Sequence, residues 1–194
     1  FLPPKVSYCA AQLYVQASPD HAASLAARLI GPLAVQPVPH SFPHQPDPER
    51  PLRVGLLSGD FRQHSCAYFL TPLLSSPTSM RLQWFAYSTE RAEDAVTRRL
   101  QAMVPNWRRV AQLDDVELDQ LIRSDEIDVL IDLAGLTDGH RLGVLARQPA
   151  PVQLSWLGYL GSNGLPTMSG RISDHGADPD SPVPGEHGRV WRMP

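Results

Sequence analysis

Between Leu52 and Tyr159, short runs that are apolar on both faces alternate with stretches of helical spacing, and that alternation leaves few folds open. The runs are "LRVGLL" from Leu52, "LQWFAY" from Leu82, "IDVLIDLAG" from Ile127 and "APVQLSWLGY" from Ala150, with a shorter "NWRRVAQ" from Asn106. A strand with no polar face must be covered on both sides, which is the condition of a parallel sheet between helices. "EDAVTRRLQAM", "DDVELDQLIRSD" and "RLGVLARQ" supply helices in the gaps. The second sets Val116, Leu118, Leu121 and Ile122 on one side and carries acids in its first turn, where the helix dipole favours them. The expectation is an α/β fold with a Rossmann-like parallel sheet, occupying residues 52–194.

Upstream the pattern changes. Proline, twenty residues in all, crowds into "GPLAVQPVPHSFPHQPDPERP", residues 31–51. Lacking an amide donor and forcing its predecessor toward extended geometry, proline excludes helix and central strand there, so this reads as an extended linker. Before it, "SPDHAASLAARLI" offers Ser18 as a cap and Pro19 at the first helical position, and residues 1–30 read as a helical segment. The missing initiator methionine suggests a chain without its natural beginning.

With 42% hydrophobic residues the chain can bury a core, and a formal net charge of −3 without a dense basic stripe gives nucleic acid little to bind. Cys9 and Cys66 fit neither a disulfide framework nor a CxxC site. Cys66, in an apolar segment, reads as a small core residue. No stretch reaches the roughly 18 apolar residues of a membrane span, and the start lacks the plan of a signal peptide. A cytoplasmic protein that binds no membrane is expected.

Ligands of such sheets collect at the carboxyl ends of the strands. Three runs end suggestively, at Ser58-Gly59-Asp60, Asp132-Leu133-Ala134-Gly135 and Leu157-Gly158-Tyr159. Asp60 and His64 could act there as base, proton relay or hydrogen-bond pair. Spacing alone favours a plainer role, with Asp60 capping the next helix and His64 exposed in a turn. Gly158, Gly161 and Gly164 could admit a phosphate or sugar to the backbone, or simply serve a tight turn. "GLTDGHR" holds Thr137 and Arg141 just beyond a strand, where Arg141 could bind an anion or pair with an acid. No HExxH or comparable spacing supports a metal, and GxSxG is absent.

The words "LRVGLLSGDFRQHSCAYFLTPLL" and "IDVLIDLAGLTDGHRLGVLARQPAPVQLSWLGYLGSNG" resemble the N-terminal catalytic half of the protein O-GlcNAc transferase, or SPINDLY, family, across about residues 21–168. The resemblance implies a GT-B fold of two Rossmann-like halves preceded by tetratricopeptide repeats. It implies transfer of N-acetylglucosamine from UDP-GlcNAc to Ser/Thr hydroxyls of protein acceptors, with no cofactor and no metal; plant SPINDLY members use GDP-fucose. The family's DFxxH falls on Asp60 to His64, making Asp60 and His64 the catalytic candidates. Its Leu-Gly pair places Leu157 and Gly158 against the sugar, and its GxTxGxR segment puts Thr137 and Arg141 on the acceptor side.

The sequence departs from the family at Leu160, Ser162 and Leu136, in "MSGR" from Met168, and in the closing "EHGRVWRMP". The chain stops where the family's second half, with its leaving-group lysine, would begin, and a further family histidine has no clear counterpart. Without the missing C-terminal catalytic half, the resemblance implies little or no turnover. The competing expectation is a non-catalytic remnant or protein-binding module of the same fold. A nucleotide-sugar epimerase is disfavoured, because the matching words belong to the transferases.

Overall fold

The computed structural model describes residues 49–178 and 188–194, with Phe42 and Asp47. The expected helix in residues 1–30 and most of the proline-rich stretch lie outside these residues. Among these residues seven strands form one sheet: β1 (Leu52–Ser58), β2 (Leu82–Ser88), β3 (Asn106–Arg109), β4 (Val129–Asp132), β5 (Val152–Ser155), β6 (Gly170–Asp174) and β7 (Arg189–Met193). Their order is β3-β2-β1-β4-β5-β6-β7, and every pairing is parallel. The chain builds outward from β1 to β3, then returns to β1's other side to lay down β4. The switch point of this doubly wound sheet therefore lies between β1 and β4.

Among the described residues four α-helices connect the strands: α1 (Ser65–Ser75), α2 (Ala95–Met103), α3 (Asp115–Ser124) and α4 (Leu142–Ala146). Alternation along each strand sorts the core into two layers. Val54, Leu56, Trp84, Ala86, Ile131 and Leu133 face one side with Ala67 and Leu70 of α1 and Leu100 of α2. Leu57, Phe85, Tyr87 and Leu130 face the other, under Leu118 and Ile122 of α3 and the apolar turn of α4. A fully buried leucine contributes about 1.5–3 kcal/mol, so each layer is a substantial part of the fold's stability. Gly55 is the gap in this pattern, since a Cβ there would meet the Tyr87 ring at 3.0 Å.

Local signals set the helix starts. Asp94 and Asp114 each close a capping box, with Thr97 and Glu117 as the reciprocal partners. On α3 the expected apolar side is narrower than its spacing suggested: Leu118 and Ile122 are buried, whereas Val116 at the first turn is exposed. The sequence did not announce β6 or β7. In β6 the buried Arg171 takes the place of an apolar residue and pairs with Asp178 in a bidentate ion pair. Among the described residues no helix is long and apolar enough to cross a membrane.

Candidate active site at the sheet's switch point

Strand register aligns the tips that matter. Leu57 pairs with Asp132 and Asp132 with Ser155, so the segments after β1, β4 and β5 leave the sheet side by side. They enclose a cavity of about 430 Å³. Gly59, Asp60, Arg62 and His64 line it from the β1 side, Thr89 and Glu90 from β2, Thr137, Asp138 and Gly139 from β4, and Gly158 from β5.

The turn after β1 is pinned at several points. Phe61 is buried beside Trp107, with ring centroids 5.1 Å apart, and anchors the segment between Asp60 and His64. The Asp60 amide donates to Ser58 Oγ at 2.9 Å, and the Gln63 amide to the Asp94 carboxylate at 2.6 Å. Asp94, also bonded by the Thr97 amide, is held below the usual carboxylate range by these donors. Asp60 therefore enters the cavity from a fixed backbone. Its carboxylate lies 3.5 Å from the Arg62 guanidinium and 3.8 Å from His64 Nδ1.

His64, not Asp60, caps α1: its Nδ1 accepts the Cys66 amide at 3.3 Å. This corrects the plainer reading of the pair, because residues 61–64 bend before the helix begins and leave Asp60 too far upstream to cap it. An Nδ1 that accepts a bond places the neutral ring's proton on Nε2, so the imidazole has a donor to offer a hydroxyl. Glu90 accepts the amides of Ala92 and Arg91, which hold it below the ordinary carboxylate range.

On the β4 side, Asp132 is wholly buried at the strand tip and accepts the amides of Ala134 at 3.1 Å and Gly135 at 2.9 Å. Desolvation pushes its carboxyl up to about 6 despite these bonds. The next turn carries Thr137, whose hydroxyl donates to Ala134 O, and ends near Gly139, whose carbonyl accepts from Thr89 Oγ1 at 3.2 Å. On the β5 side, the Gly158 amide donates to Trp156 O at 3.0 Å around Leu157, whose φ is +68°. An i+2 to i bond about a positive-φ residue is the strained form of the γ-turn.

Of the residues singled out in the sequence, the structure brings Asp60, His64, Thr137 and Gly158 into one cavity. Leu157 adjoins it as the turn's strained centre and packs against the layer containing Leu133. Arg141 takes the alternative role: Nε pairs with Asp115 at 2.9 Å, and the guanidinium also donates to the carbonyls of Leu113 and Val110. It fastens the β4 loop to α3 and does not line the cavity. Arg62, Thr89 and Glu90 were missed, whereas Asp138 lies in the "GLTDGHR" segment that the sequence offered. The strand-end rule that found Asp60 would have reached Thr89 and Glu90, which follow directly on β2.

The doubly wound parallel sheet matches one Rossmann-like half of a GT-B glycosyltransferase, as a solved relative shows. A solved structure of a mutant O-GlcNAc transferase from Thermobaculum terrenum superposes with a TM-score of 0.87 at 35% identity, covering 97% of this chain and 37% of that one. The profile of Glycosyl transferase family 41 matches residues 14–183, and the chain belongs to that family. Among curated relatives, the probable UDP-N-acetylglucosamine–peptide N-acetylglucosaminyltransferase SPINDLY of Arabidopsis thaliana is 35% identical over 158 residues, which is 79% of this chain. The Petunia hybrida SPINDLY protein is 35% identical over 159 residues. The chain spans 17% of the length of each of these two.

Proposed function

We propose that this chain is the acceptor-side half of a glycosyltransferase that moves N-acetylglucosamine from UDP-GlcNAc to Ser/Thr hydroxyls of proteins. The observation that carries the reading is the convergence of Asp60, His64 and Gly158 on one cavity at the switch point of a family 41 sheet. In the proposed step the acceptor oxygen attacks the anomeric carbon as the bond to the diphosphate breaks. The hydroxyl proton passes to the Asp60 carboxylate, directly or through one water, and the His64 Nε2–H orients the reacting oxygen. Gly158, with no side chain, leaves room for the sugar beside the wall that Leu157 forms.

The reading also assigns a need for a second half. Charge develops on the departing diphosphate, and transfer requires fixed positive charge there. Among the described residues lining the cavity Arg62 is the one permanent cation, and it lies beside Asp60 and Glu90. Leaving-group stabilisation is therefore expected from a second α/β half across the cleft, and the reaction itself needs no metal.

Transfer from UDP-GlcNAc to an acceptor peptide, measured after mixing the chain with a separately expressed second half, tests this function. Activity should return on mixing and fall at least about a hundredfold, the usual worth of a positioned acid–base group, in Asp60→Asn and His64→Ala. Full activity in both variants would remove the site assignment. Mixed halves that bind each other but never transfer sugar would favour a binding module.

A further inference from the structure

Three side chains of different chemistry meet where β1's turn runs into α1. A carboxylate oxygen of Asp60, a ring nitrogen of His64 and Sγ of Cys66 all lie within 4.8 Å of one another. Cys66 is buried, the Asp60 side chain is 13% exposed, and His64 is half-buried. Zinc bond lengths of about 2.0–2.3 Å at a tetrahedral angle set ligand atoms roughly 3.3–3.6 Å apart. The Asp60–His64 separation of 3.8 Å is within a few tenths of that range. We propose that Asp60, His64 and Cys66 form a binding site for zinc or a cation of similar softness, with its fourth position open to the cavity.

The donor set selects the metal. A thiolate and an imidazole suit zinc or cobalt, whereas magnesium and calcium want oxygen ligands throughout. Three protein ligands and one open position match the labile type of zinc site, not a closed structural one. Little must be given up to occupy it: the bond from the Cys66 amide to His64 Nδ1 is long, at 3.3 Å, and a metal on that nitrogen would replace it. The cost is the thiol proton. A thiolate ligand must shed its proton, so binding expels one. A dication between the carboxylate and the sulfur relieves the repulsion between their charges.

The Asp-x3-His-x-Cys spacing matches no common ligand motif, which is why the sequence did not suggest a metal; the helix's first turn folds the three together. Zinc here would be an inhibitor and not a cofactor, because it occupies the Asp60 carboxylate assigned to the proton of the acceptor hydroxyl. That consequence rests on the proposed transferase reading, whereas metal binding does not.

The test is a Co2+ and Zn2+ titration of the chain in a Cys9→Ser background, which leaves Cys66 as the single thiol. One Co2+ per chain is expected, with a thiolate-to-metal charge-transfer band and the intense visible bands of tetrahedral cobalt. Cys66→Ser, close to isosteric, should abolish the charge-transfer band and weaken Zn2+ at least about tenfold, as should Asp60→Asn, each checked for native circular dichroism. Cobalt binding without the charge-transfer band, or equal Zn2+ affinity in the parent and Cys66→Ser, would overturn the proposal. Zn2+ binding with no effect on reconstituted transfer would leave the metal site standing and count against the catalytic roles alone.

Discussion

Replacing Gly158 with alanine would set a methyl carbon 2.0 Å from the Leu133 carbonyl oxygen, 3.0 Å from its carbon and 3.3 Å from Ala134 Cα. All three are backbone atoms, so no rotamer change relieves the clash. Leu133 is itself held, its amide donating to Leu57 O at 3.0 Å and its side chain fully buried. An ordinary carbon–oxygen contact is near 3.3 Å, so about 1 Å of movement must be found in the β4 exit or the γ-turn. Overpacking of this kind costs roughly 1–3 kcal/mol in typical cores, and a clash with fixed backbone belongs at the upper end. For a domain of this size, about 3 kcal/mol lowers Tm by roughly 6–12 °C. Thermal unfolding of the chain followed by far-UV circular dichroism provides the measurement. Gly176→Ala is the control, because its Cβ meets one exposed Asp174 oxygen at 3.2 Å. A Gly158→Ala protein melting within about 2 °C of its parent would refute the argument that the two loops require a residue without a side chain there.

Two further outcomes follow from the same loops. Arg141→Ala should destabilise by about 1.5–3 kcal/mol, the range for charged hydrogen bonds, read by urea unfolding. In reconstituted enzyme its effect should track stability; a large fall in kcat with unchanged stability would return Arg141 to the acceptor. Asp132 is raised by burial above its ordinary 3.8 to about 6. Between those values the folded chain keeps a proton that the unfolded chain has lost, so this group's contribution to stability falls as pH rises. Comparing Asp132→Asn with the parent in urea at about pH 3.5 and 7 should show a pH-dependent difference of about 3 kcal/mol favouring the variant at higher pH. A difference that does not change with pH would mean that Asp132 has an ordinary acidity.

The sheet was legible because its central strands carry their burial as apolar runs. Leu56 and Leu57 fill opposite layers, and no half-solvated strand spells that out. Helix α3 was legible through its spacing and the acids of its first turn, and the structure adds that Asp114 and Glu117 close a capping box there. β6 hid because Arg171 is buried by ion pairing with Asp178 seven residues on, a contact that no local pattern reveals. β7 hid because Trp191 and Met193 face outward on an edge strand, where side chains obey no inward rule. Strand-end position drew attention to Asp60 and His64, but the resemblance to the family's DFxxH, not their spacing, made them candidates. Which of the two capped α1 depended on where the helix begins, and Phe61's burial beside Trp107 decides that. For Arg141 the sequence left an anion and a neighbouring acid as alternative partners, and the structure shows the acid, Asp115.

The bend at Leu157 carries a consequence for anyone trying to make this protein hardier. A leucine held at φ +68° stores on the order of 1–3 kcal/mol that glycine or asparagine would release. Laboratory evolution scored on heat resistance alone should therefore drift toward those residues at position 157. Each winner of that contest would surrender the leucine side chain packed against the layer of Leu133, so selection at this codon would set durability against the sugar contact proposed for it.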